Sequence, residues 1–184
     1  MRLFTILTLL TLIVPGLLGQ TRDQLYNAYI DQFHSIATAQ QRSHGIPASI
    51  ILAQGLLESG AGRSRLATEG NNHFGIKCHD WQGKKIYHDD DEGNECFRKY
   101  NHARESFEDH SFFLTTRSRY RSLFLLPSTD YKSWAHGLKA AGYATDPGYA
   151  AKLIDIIERY QLYRFDHYQP ENVPIQPDEI PMAG

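Results

Sequence analysis

The sequence has few cysteines, almost no excess charge and no long apolar run beyond its first residues. Its two cysteines allow at most one internal disulfide. The formal net charge of −2 gives no reason to expect a polyanionic partner, so nucleic acid binding is not predicted. After residue 19 nothing is apolar enough to span a bilayer. These absences leave an ordinary globular protein without a membrane span.

The N-terminus has the pattern of a signal peptide over residues 1–19. Arg2 precedes an apolar run that continues to Val14, and small Gly19 precedes the expected mature start at Gln20. A retained anchor is the alternative, but the run is short and Pro15 interrupts it. We therefore expect export to the periplasm, the cell surface or the medium.

The remainder divides into one domain and a tail. About 165 residues follow the signal peptide, which suits a single core. We expect the domain to cover residues 20–166 and to be a monomer. Residues 167–184 are polar and rich in proline, a composition typical of a disordered tail.

Helical signals dominate the domain. A first helix is expected from its cap Thr21 to Gly45, a second after Pro47, and a short one at 64–68. Further helices are predicted at 105–115, at 120–126, after the cap Asp130, and from the cap-plus-first-turn pair Asp146-Pro147 to about Tyr160. The one persuasive β signal is a hairpin whose strands contain Ile86 and Phe97 and whose acidic tip is 88–94.

Cys78 and Cys96 flank the first part of this hairpin. In an oxidising compartment we expect them to form a disulfide worth about 3 kcal/mol. Two free thiols are one alternative. A zinc site completed by His79 and His88 is another, but no Cys-x-x-Cys pair supports it. We predict no metal and no cofactor.

Glu58 is a carboxylate near the end of an apolar helical stretch, 50–57, and is followed by Gly60 and Gly62. The glycines should end the helix just beyond it and hold the carboxyl at the rim of the core, where a cleft can open. Partial burial there would raise its pKa, as a general acid near neutral pH requires. The alternative is a helix-terminal glutamate paired with Arg63 or Arg65.

Several sequence blocks occur together in the chain. They are AQGLLESGAG at 53–62, NNHFGIK at 71–77, CFRKY at 96–100 with SFEDH at 106–110, and AAGYATDPGYA at 140–150. Together they resemble glycoside hydrolase family 73, the flagellar-muramidase-like N-acetylglucosaminidases of bacterial peptidoglycan. The resemblance covers nearly everything from Gly45 to Tyr160. It implies a mainly helical, lysozyme-like α+β fold in which a helical body and one small β-hairpin lobe flank a cleft.

The resemblance implies that Glu58 is the general acid of an endo-β-N-acetylglucosaminidase. In the family a second carboxylate, usually glutamate, lies on the hairpin; the corresponding stretch here is mostly aspartate. We favour Asp90, with Asp89 and Asp91 close behind, because strand register cannot be read from one sequence. If this acidic stretch has no catalytic role, it is a solvated hairpin tip or a weak divalent-cation site. An alternative mechanism needs no second catalytic carboxylate: the substrate's own acetamido group attacks its anomeric carbon, assisted by Tyr143.

The remaining cleft residues are assigned by chemistry. Asn71 and Asn72 carry amides that suit acetamido and hydroxyl groups, and Phe74 is an aromatic face for a pyranose or a core residue. Trp81 either stacks on a sugar or covers the disulfide loop. His73, where the family often has leucine, is interpreted as a tolerated variation.

The leading function is therefore an exported hydrolase of peptidoglycan glycan strands that cuts between N-acetylglucosamine and N-acetylmuramic acid. A lytic transglycosylase or muramidase on the same fold is the nearest alternative, and a chitin hydrolase is a weaker one. A non-catalytic wall-binding module is the alternative from a different class.

Overall fold

The computed structural model describes residues 20–89 and 93–167. Their elements, in chain order, are α1 (Arg22–His44), α2 (Ala48–Ser59), α3 (Arg65–Gly70), β1 (Lys85–His88), β2 (Glu95–Arg98), α4 (Ala103–Thr116), α5 (Tyr131–Ala140) and α6 (Tyr149–Arg159). Short 3-10 segments follow α4 at Ser118–Leu125 and α6 at Leu162–Phe165. The mainly helical architecture with one small hairpin is the one that the sequence predicts.

The ends of α1 are fixed by local chemistry. The backbone amide of Gln24 donates to the Thr21 hydroxyl at 3.2 Å, and the Gln24 side chain accepts from the Thr21 amide at 2.9 Å. This reciprocal capping box satisfies amides that would otherwise lack partners at a helix start. At the other end Gly45 takes a left-handed conformation, φ 74°. Both predicted boundaries of the first helix are confirmed.

Helix α2 is the central element of the core. Its residues Ile50, Ile51, Leu52, Ala53 and Leu56 are all 0% exposed. A helix that is apolar on every side has to be surrounded by protein, and α1, α5, α6 and the 3-10 segment Leu162–Phe165 pack around it. The helix ends at Gly60 in a left-handed conformation, as the glycines predict. Glu58 therefore lies at the one end of α2 that reaches the surface.

The hairpin is a two-stranded antiparallel pair in which Ile86 faces Phe97 and Tyr87 faces Cys96. Ile86 and Phe97 are buried, whereas the intervening Tyr87 is half exposed. The predicted disulfide between Cys78 and Cys96 is present, with the two Cα atoms 5.4 Å apart. It ties the segment before the hairpin to β2, next to the bond that the Cys78 amide donates to the Cys96 carbonyl.

Two helix predictions are corrected by the structure. The segment predicted as a helix at 120–126 is the 3-10 turn Ser118–Leu125. Asp146 is not the N-cap of the last helix, which begins at Tyr149 after Gly148. The Asp146 carboxylate instead accepts from the Gly148 amide at 2.8 Å and pairs with Lys152. This local turn uses the aspartate before the helix starts. The Asp130 cap of α5 is confirmed, since its carboxylate accepts from the Ser133 amide.

The predicted signal peptide at 1–19 and all but the first residue of the predicted tail at 167–184 lie outside the described residues. Within the described part of the chain, no helix has the length and apolar character needed to cross a membrane.

Candidate active site

Glu58 opens into a cavity of about 210 Å³ between the helical body and the segment that leads to the hairpin. The other residues that line this cavity come from three parts of the chain: Phe74, Gly75, Ile76, Lys77, His79, Phe113 and Tyr143. The cleft that the sequence predicts at the end of α2 is thus formed, with the Glu58 carboxylate at its wall. We call it the Glu58 cleft.

Glu58 is more exposed than expected. The residue is classed as exposed, whereas its neighbours Leu56 and Ser59 are buried. The burial expected to raise its pKa is therefore not found; the left-handed Gly60 turns the chain away and leaves one side of Glu58 open. Among the described residues, no ion pair joins Glu58 to Arg63 or Arg65, the two partners that the alternative interpretation proposed. Arg65 binds Glu69 at 3.1 Å and the Tyr87 carbonyl at 2.8 Å.

Tyr149 holds the Glu58 carboxyl group. Its hydroxyl donates to Glu58 Oε1 at 2.9 Å and accepts from Gln54 Nε2 at 3.0 Å. Tyr149 is 3% exposed and Gln54 is 0% exposed. Burial, then the neighbouring Tyr143 and Glu58, raise the pKa of Tyr149 far above its ordinary value, so its hydroxyl is protonated near neutral pH and can donate.

Tyr143 lies beside this pair and lines the Glu58 cleft. Its ring stacks on that of Tyr149, with centroids 5.7 Å apart and an interplanar angle of 24°. Burial of its hydroxyl, then the negative charge of Glu58, raise the pKa of Tyr143 well above its ordinary value. A protonated phenol at the cleft wall can donate a hydrogen bond to a bound sugar or nucleophile.

Phe74 joins the cleft to the core. It is 4% exposed and its ring stacks on His110 with centroids 4.0 Å apart. It also meets Phe107 edge to face at 4.9 Å. Burial lowers the pKa of His110 to about 3, so this imidazole is neutral behind the cleft. Phe74 therefore combines the two roles that the sequence left open, core packing and cleft lining.

Asn71 and Asn72 do not line the Glu58 cleft. Asn71 ends α3 in a left-handed conformation, φ 51°, and its amide donates to the Tyr100 carbonyl. Asn72 is 1% exposed, donates to the carbonyls of Ile76 and Arg98, and accepts from the Ile76 amide. All of these partners are backbone groups, so the amides fix the loop between α3 and the hairpin.

Trp81 packs outside the cleft, against the hairpin. Its indole nitrogen donates to the Lys84 carbonyl at 2.8 Å, and its ring meets Tyr100 edge to face. Arg98 lies over the same ring at 5.0 Å. These contacts correspond to the covering role in the sequence analysis. Asp89 is exposed and accepts from the Asn94 amide at 2.6 Å, while Asp90 and Asp91 lie outside the described residues.

His73 is not among the residues that line the Glu58 cleft. It is 5% exposed, its Nδ1 is hydrogen-bonded to the Tyr29 hydroxyl at 3.1 Å, and it packs against Phe33. Burial lowers the pKa of His73 to about 4, so it is a neutral core residue at physiological pH. The two cysteines are oxidised to the disulfide, which removes the thiolates that the alternative zinc site requires. Across 20–89 and 93–167, no three His, Cys, Asp or Glu side chains are grouped as metal ligands.

Two residues that position Glu58, Tyr149 and Gln54, are not among the site residues predicted from the sequence. One signal for Gln54 was present, because it stands four residues before Glu58 in the same helix and must share its face. The one sequence signal for Tyr149 was that the Gly-Tyr pair at 142–143 occurs again at 148–149. The role of Tyr149 depends on α6 starting at this residue. The prediction that Asp146 caps the helix had placed that start earlier in the chain.

The fold and the site together define the class. A helical body, a hairpin lobe and an acidic side chain at a helix end facing the cleft between them are the features of a lysozyme-like glycoside hydrolase.

Comparison with known proteins gives the family. The family described as mannosyl-glycoprotein endo-beta-N-acetylglucosaminidase, the glucosaminidase domain, matches residues 34–162. The chain belongs to this family, which confirms the resemblance seen in the sequence blocks and the lysozyme-like fold class.

Individual relatives agree with this assignment. The chain is 33% identical to the exo-glucosaminidase LytG of Bacillus subtilis over 77% of this chain and 54% of that protein. It is 32% identical to the peptidoglycan hydrolase FlgJ of Vibrio parahaemolyticus over 73% of this chain and 47% of that protein. The chain thus spans about half the length of these relatives.

A solved structure shows the same fold. The catalytic domain of the autolysin Auto from Listeria monocytogenes superimposes with a TM-score of 0.68 at 29% identity, covering 81% of this chain and 91% of that one.

Proposed function

We propose that this protein is an exported hydrolase of peptidoglycan glycan strands that cleaves the β-1,4 bond between N-acetylglucosamine and N-acetylmuramic acid. The observation that carries the proposal is the Glu58 carboxyl group at the cleft wall, held by the Tyr149 hydroxyl at 2.9 Å. It is supported by family membership and by relatives whose names are exo-glucosaminidase, peptidoglycan hydrolase and autolysin.

Glu58 acts as the general acid. Cleavage of a glycoside passes through an oxocarbenium-like state, and protonation of the leaving oxygen makes the departure of the aglycone possible. The hydrogen bond from Tyr149 fixes the orientation of the carboxyl group, so that the proton is presented toward the cleft and not toward bulk water.

The positive charge that develops at the anomeric carbon needs a second group. We assign it to Asp90 on the hairpin, with Asp89 and Asp91 as its neighbours in the same acidic stretch. The disulfide ties the segment before the hairpin to β2, the strand that follows this stretch in the chain. The alternative within the same function is attack by the substrate's 2-acetamido group, with Tyr143 donating a hydrogen bond that orients it.

Sugar binding is assigned first to Phe74 and Tyr143, since both line the cleft with Glu58. An aromatic edge or face covers the apolar side of a pyranose, and the Tyr143 hydroxyl offers one polar contact. Asn71, Asn72 and Trp81 support the site indirectly, through the loop and hairpin contacts that position its far wall.

Export is part of the proposal. It is supported by the signal-peptide pattern of residues 1–19 and by the Cys78–Cys96 disulfide, a bond that persists in oxidising compartments. The enzyme acts on the wall as a monomer, through its own cleft.

Product analysis tests the proposal. Purified peptidoglycan is digested, the products are reduced with borohydride, and the fragments are identified by mass spectrometry. N-acetylglucosaminitol ends are expected. Reduced muramic ends would identify a muramidase and anhydromuramic ends a lytic transglycosylase, and either would overturn the assignment. A preparation that binds walls without releasing fragments would favour the non-catalytic module.

Two further measurements refine the result. Proton NMR of the fresh anomeric product distinguishes inversion from retention, and retention is the outcome expected from acetamido attack. Chitin oligomers provide the substrate control: if they are cut and peptidoglycan is not, the wall assignment fails.

A further inference from the structure

A second depression adjoins the Glu58 cleft. It has a volume of about 620 Å³ and is lined by His79, Phe113, Thr116, Arg117, Ser118 and Arg119. His79 and Phe113 also line the Glu58 cleft. The two depressions are therefore adjacent parts of the surface that share His79 and Phe113. We call the second part the arginine groove.

Both arginines are held in place by aromatic rings. The guanidinium carbon of Arg117 lies 3.6 Å from the centroid of Phe113, and that of Arg119 lies 4.7 Å from the centroid of Tyr120. Stacking of this kind orients a guanidinium group and leaves its edge free to donate paired hydrogen bonds. Arg117 is partly buried, just after the end of α4, and Arg119 is exposed.

Neither of these two arginines forms an ion pair within the part of the chain that the structure describes, although Asp109 is near enough to Arg117 to raise its pKa somewhat against the larger lowering effects. Nearby cations have acidic partners there: Arg98 pairs with Asp109 at 2.9 Å and Lys77 with Glu95 at 2.7 Å. Arg117 and Arg119 form no such ion pair among residues 20–89 and 93–167. The arginine groove consequently carries two guanidinium groups that have no ion-pair partner among these residues and can attract an anion.

The titration of neighbouring groups agrees with this field. Burial, then Arg119 and Arg98, lower the pKa of Arg117. Burial, then Arg117 and Arg98, lower the pKa of His79 from 6.5, so His79 is neutral near pH 7 and adds no charge. The positive charge of the groove thus belongs to the arginines.

We propose that the arginine groove binds a carboxylate of the peptide stems carried by the glycan strand, and so directs the enzyme to peptide-bearing peptidoglycan. This inference rests on the proposed function. In an intact strand the lactyl carboxyl of muramic acid is consumed in the amide bond to the stem, so the free carboxylates belong to the stems. Chitin carries none. A paired guanidinium–carboxylate contact is the geometry that arginine favours over lysine.

Binding measured with the inactive Glu58→Gln chain separates this inference from catalysis. Three soluble ligands are compared by titration calorimetry: peptide-bearing glycan oligomers, the same oligomers with their carboxylates converted to amides, and oligomers freed of peptide by an amidase. Arg117→Gln with Arg119→Gln is expected to weaken binding of the first ligand about tenfold, which corresponds to roughly 1.4 kcal/mol. The amidated ligand is expected to bind the parent as weakly as it binds the variant.

Matched controls complete the design. Arg121→Gln removes an exposed arginine from the same 3-10 segment but outside the groove lining, and it is expected to have no effect. Arg117→Lys keeps the charge without the planar fork and should recover part of the affinity. Raising the salt concentration should weaken binding of the peptide-bearing oligomers to the parent more than binding to the double variant. Equal melting temperatures establish that each variant is folded.

The outcomes are distinct. Undiminished binding of peptide-bearing oligomers by the double variant would overturn the inference, as would tight binding of the amidated ligand. If the double variant lost as much affinity for the peptide-free oligomers, the contact would belong to the lactyl carboxylate, and the assignment to the stems would be overturned. If arginine-dependent binding is found but the active chain never cuts the wall, the proposed hydrolysis fails while this site stands.

Discussion

The hydroxyl of Tyr149 donates a hydrogen bond of 2.9 Å to Oε1 of Glu58, although 91 positions separate the two residues in the chain. Glu58 is the exposed end of the most buried helix, and Tyr149 is the buried first residue of α6. The contact therefore couples the orientation of the proposed general acid to the docking of α6 on α2. A carboxyl group on a surface helix end would otherwise sample several rotamers.

Replacing this tyrosine tests that coupling. Tyr149→Phe keeps the ring packing but removes the donor to Glu58 and the acceptor for Gln54, so kcat on peptidoglycan is expected to fall about tenfold with little change in KM, as loss of a hydrogen bond to a charged group implies. The matched control is Tyr163→Phe, at a partly exposed tyrosine away from the cleft. A raised KM with unchanged kcat would contradict the positioning role.

Glu58→Gln removes the proton donor while preserving size and polarity. Loss of a general acid is expected to lower kcat at least about a hundredfold, without a change in melting temperature because the side chain is exposed. Release of soluble fragments from purified walls provides the measurement. Glu69→Gln is the control, because Glu69 is an exposed glutamate whose partner is Arg65. Solubilisation at the parent rate by Glu58→Gln would rule out the assignment of the acid.

Removal of the disulfide should destabilise the hairpin lobe. The bond joins cysteines 18 positions apart, and in the chain-entropy account a loop of this size contributes about 3 kcal/mol. The double variant Cys78→Ser with Cys96→Ser is expected to lose roughly that free energy of unfolding, measured in urea. The parent protein in dithiothreitol should unfold at the same urea concentration as the variant. Equal stability of oxidised and reduced parent would show that the loop is held by packing alone.

The buried His110 should make the protein sensitive to acid. Burial lowers its pKa from 6.5 to about 3, so the unfolded chain binds the proton more tightly than the folded protein does. The stability from the neutral imidazole is fully present above pH 6.5 and is lost as the pH falls toward 3, by at most about 1.4 kcal/mol per pH unit.

His110→Phe, which preserves the stacking on Phe74, should flatten this dependence. Urea unfolding at pH 7, 6, 5 and 4 provides the comparison. His73, with its pKa lowered to about 4, leaves a residual slope of the same sign. Asp166 acts in the opposite direction, because burial raises its pKa to about 6 and its ionisation disfavours the fold as the pH rises through that range. An unchanged slope in His110→Phe would contradict the assignment to this histidine.

Gly55 lies where α2 passes the Tyr29 ring. A Cβ atom at this position would overlap the Tyr29 hydroxyl, which is hydrogen-bonded to His73. Gly55→Ala is therefore expected to lower the free energy of unfolding by about 1–3 kcal/mol, as overpacking does, despite the better helix propensity of alanine. In a Tyr29→Phe background the loss should be smaller, because the overlapping oxygen is gone. Equal losses in both backgrounds would place the strain elsewhere.

Some site predictions could be made from sequence and others could not. The cap at Thr21, the stop at Gly60 and the position of Glu58 at the end of an apolar helix follow from interactions within a few residues, whereas the exposure of Glu58 was not predicted. The Asp146 cap was wrong for the same kind of reason: two local structures compete for the aspartate, and the turn to the Gly148 amide is the one that forms. Because of that error, the predicted start of α6 was too early and Tyr149 was not predicted as a site residue.

The sequence alone determined the ends of α1, the stop of α2, the cap of α5, the cysteine pair and the position of the acid, because each is decided by neighbours along the chain. Only the tertiary structure decided what faces Glu58. Tyr149 reaches it because α6 packs on α2, and Tyr143, between α5 and α6, lines the same cleft. Asn72 instead turns inward to satisfy the backbone of Ile76 and Arg98. Side-chain direction at a site depends on how distant helices pack and on which buried amides need partners. Neither can be read from the spacing of residues along the sequence.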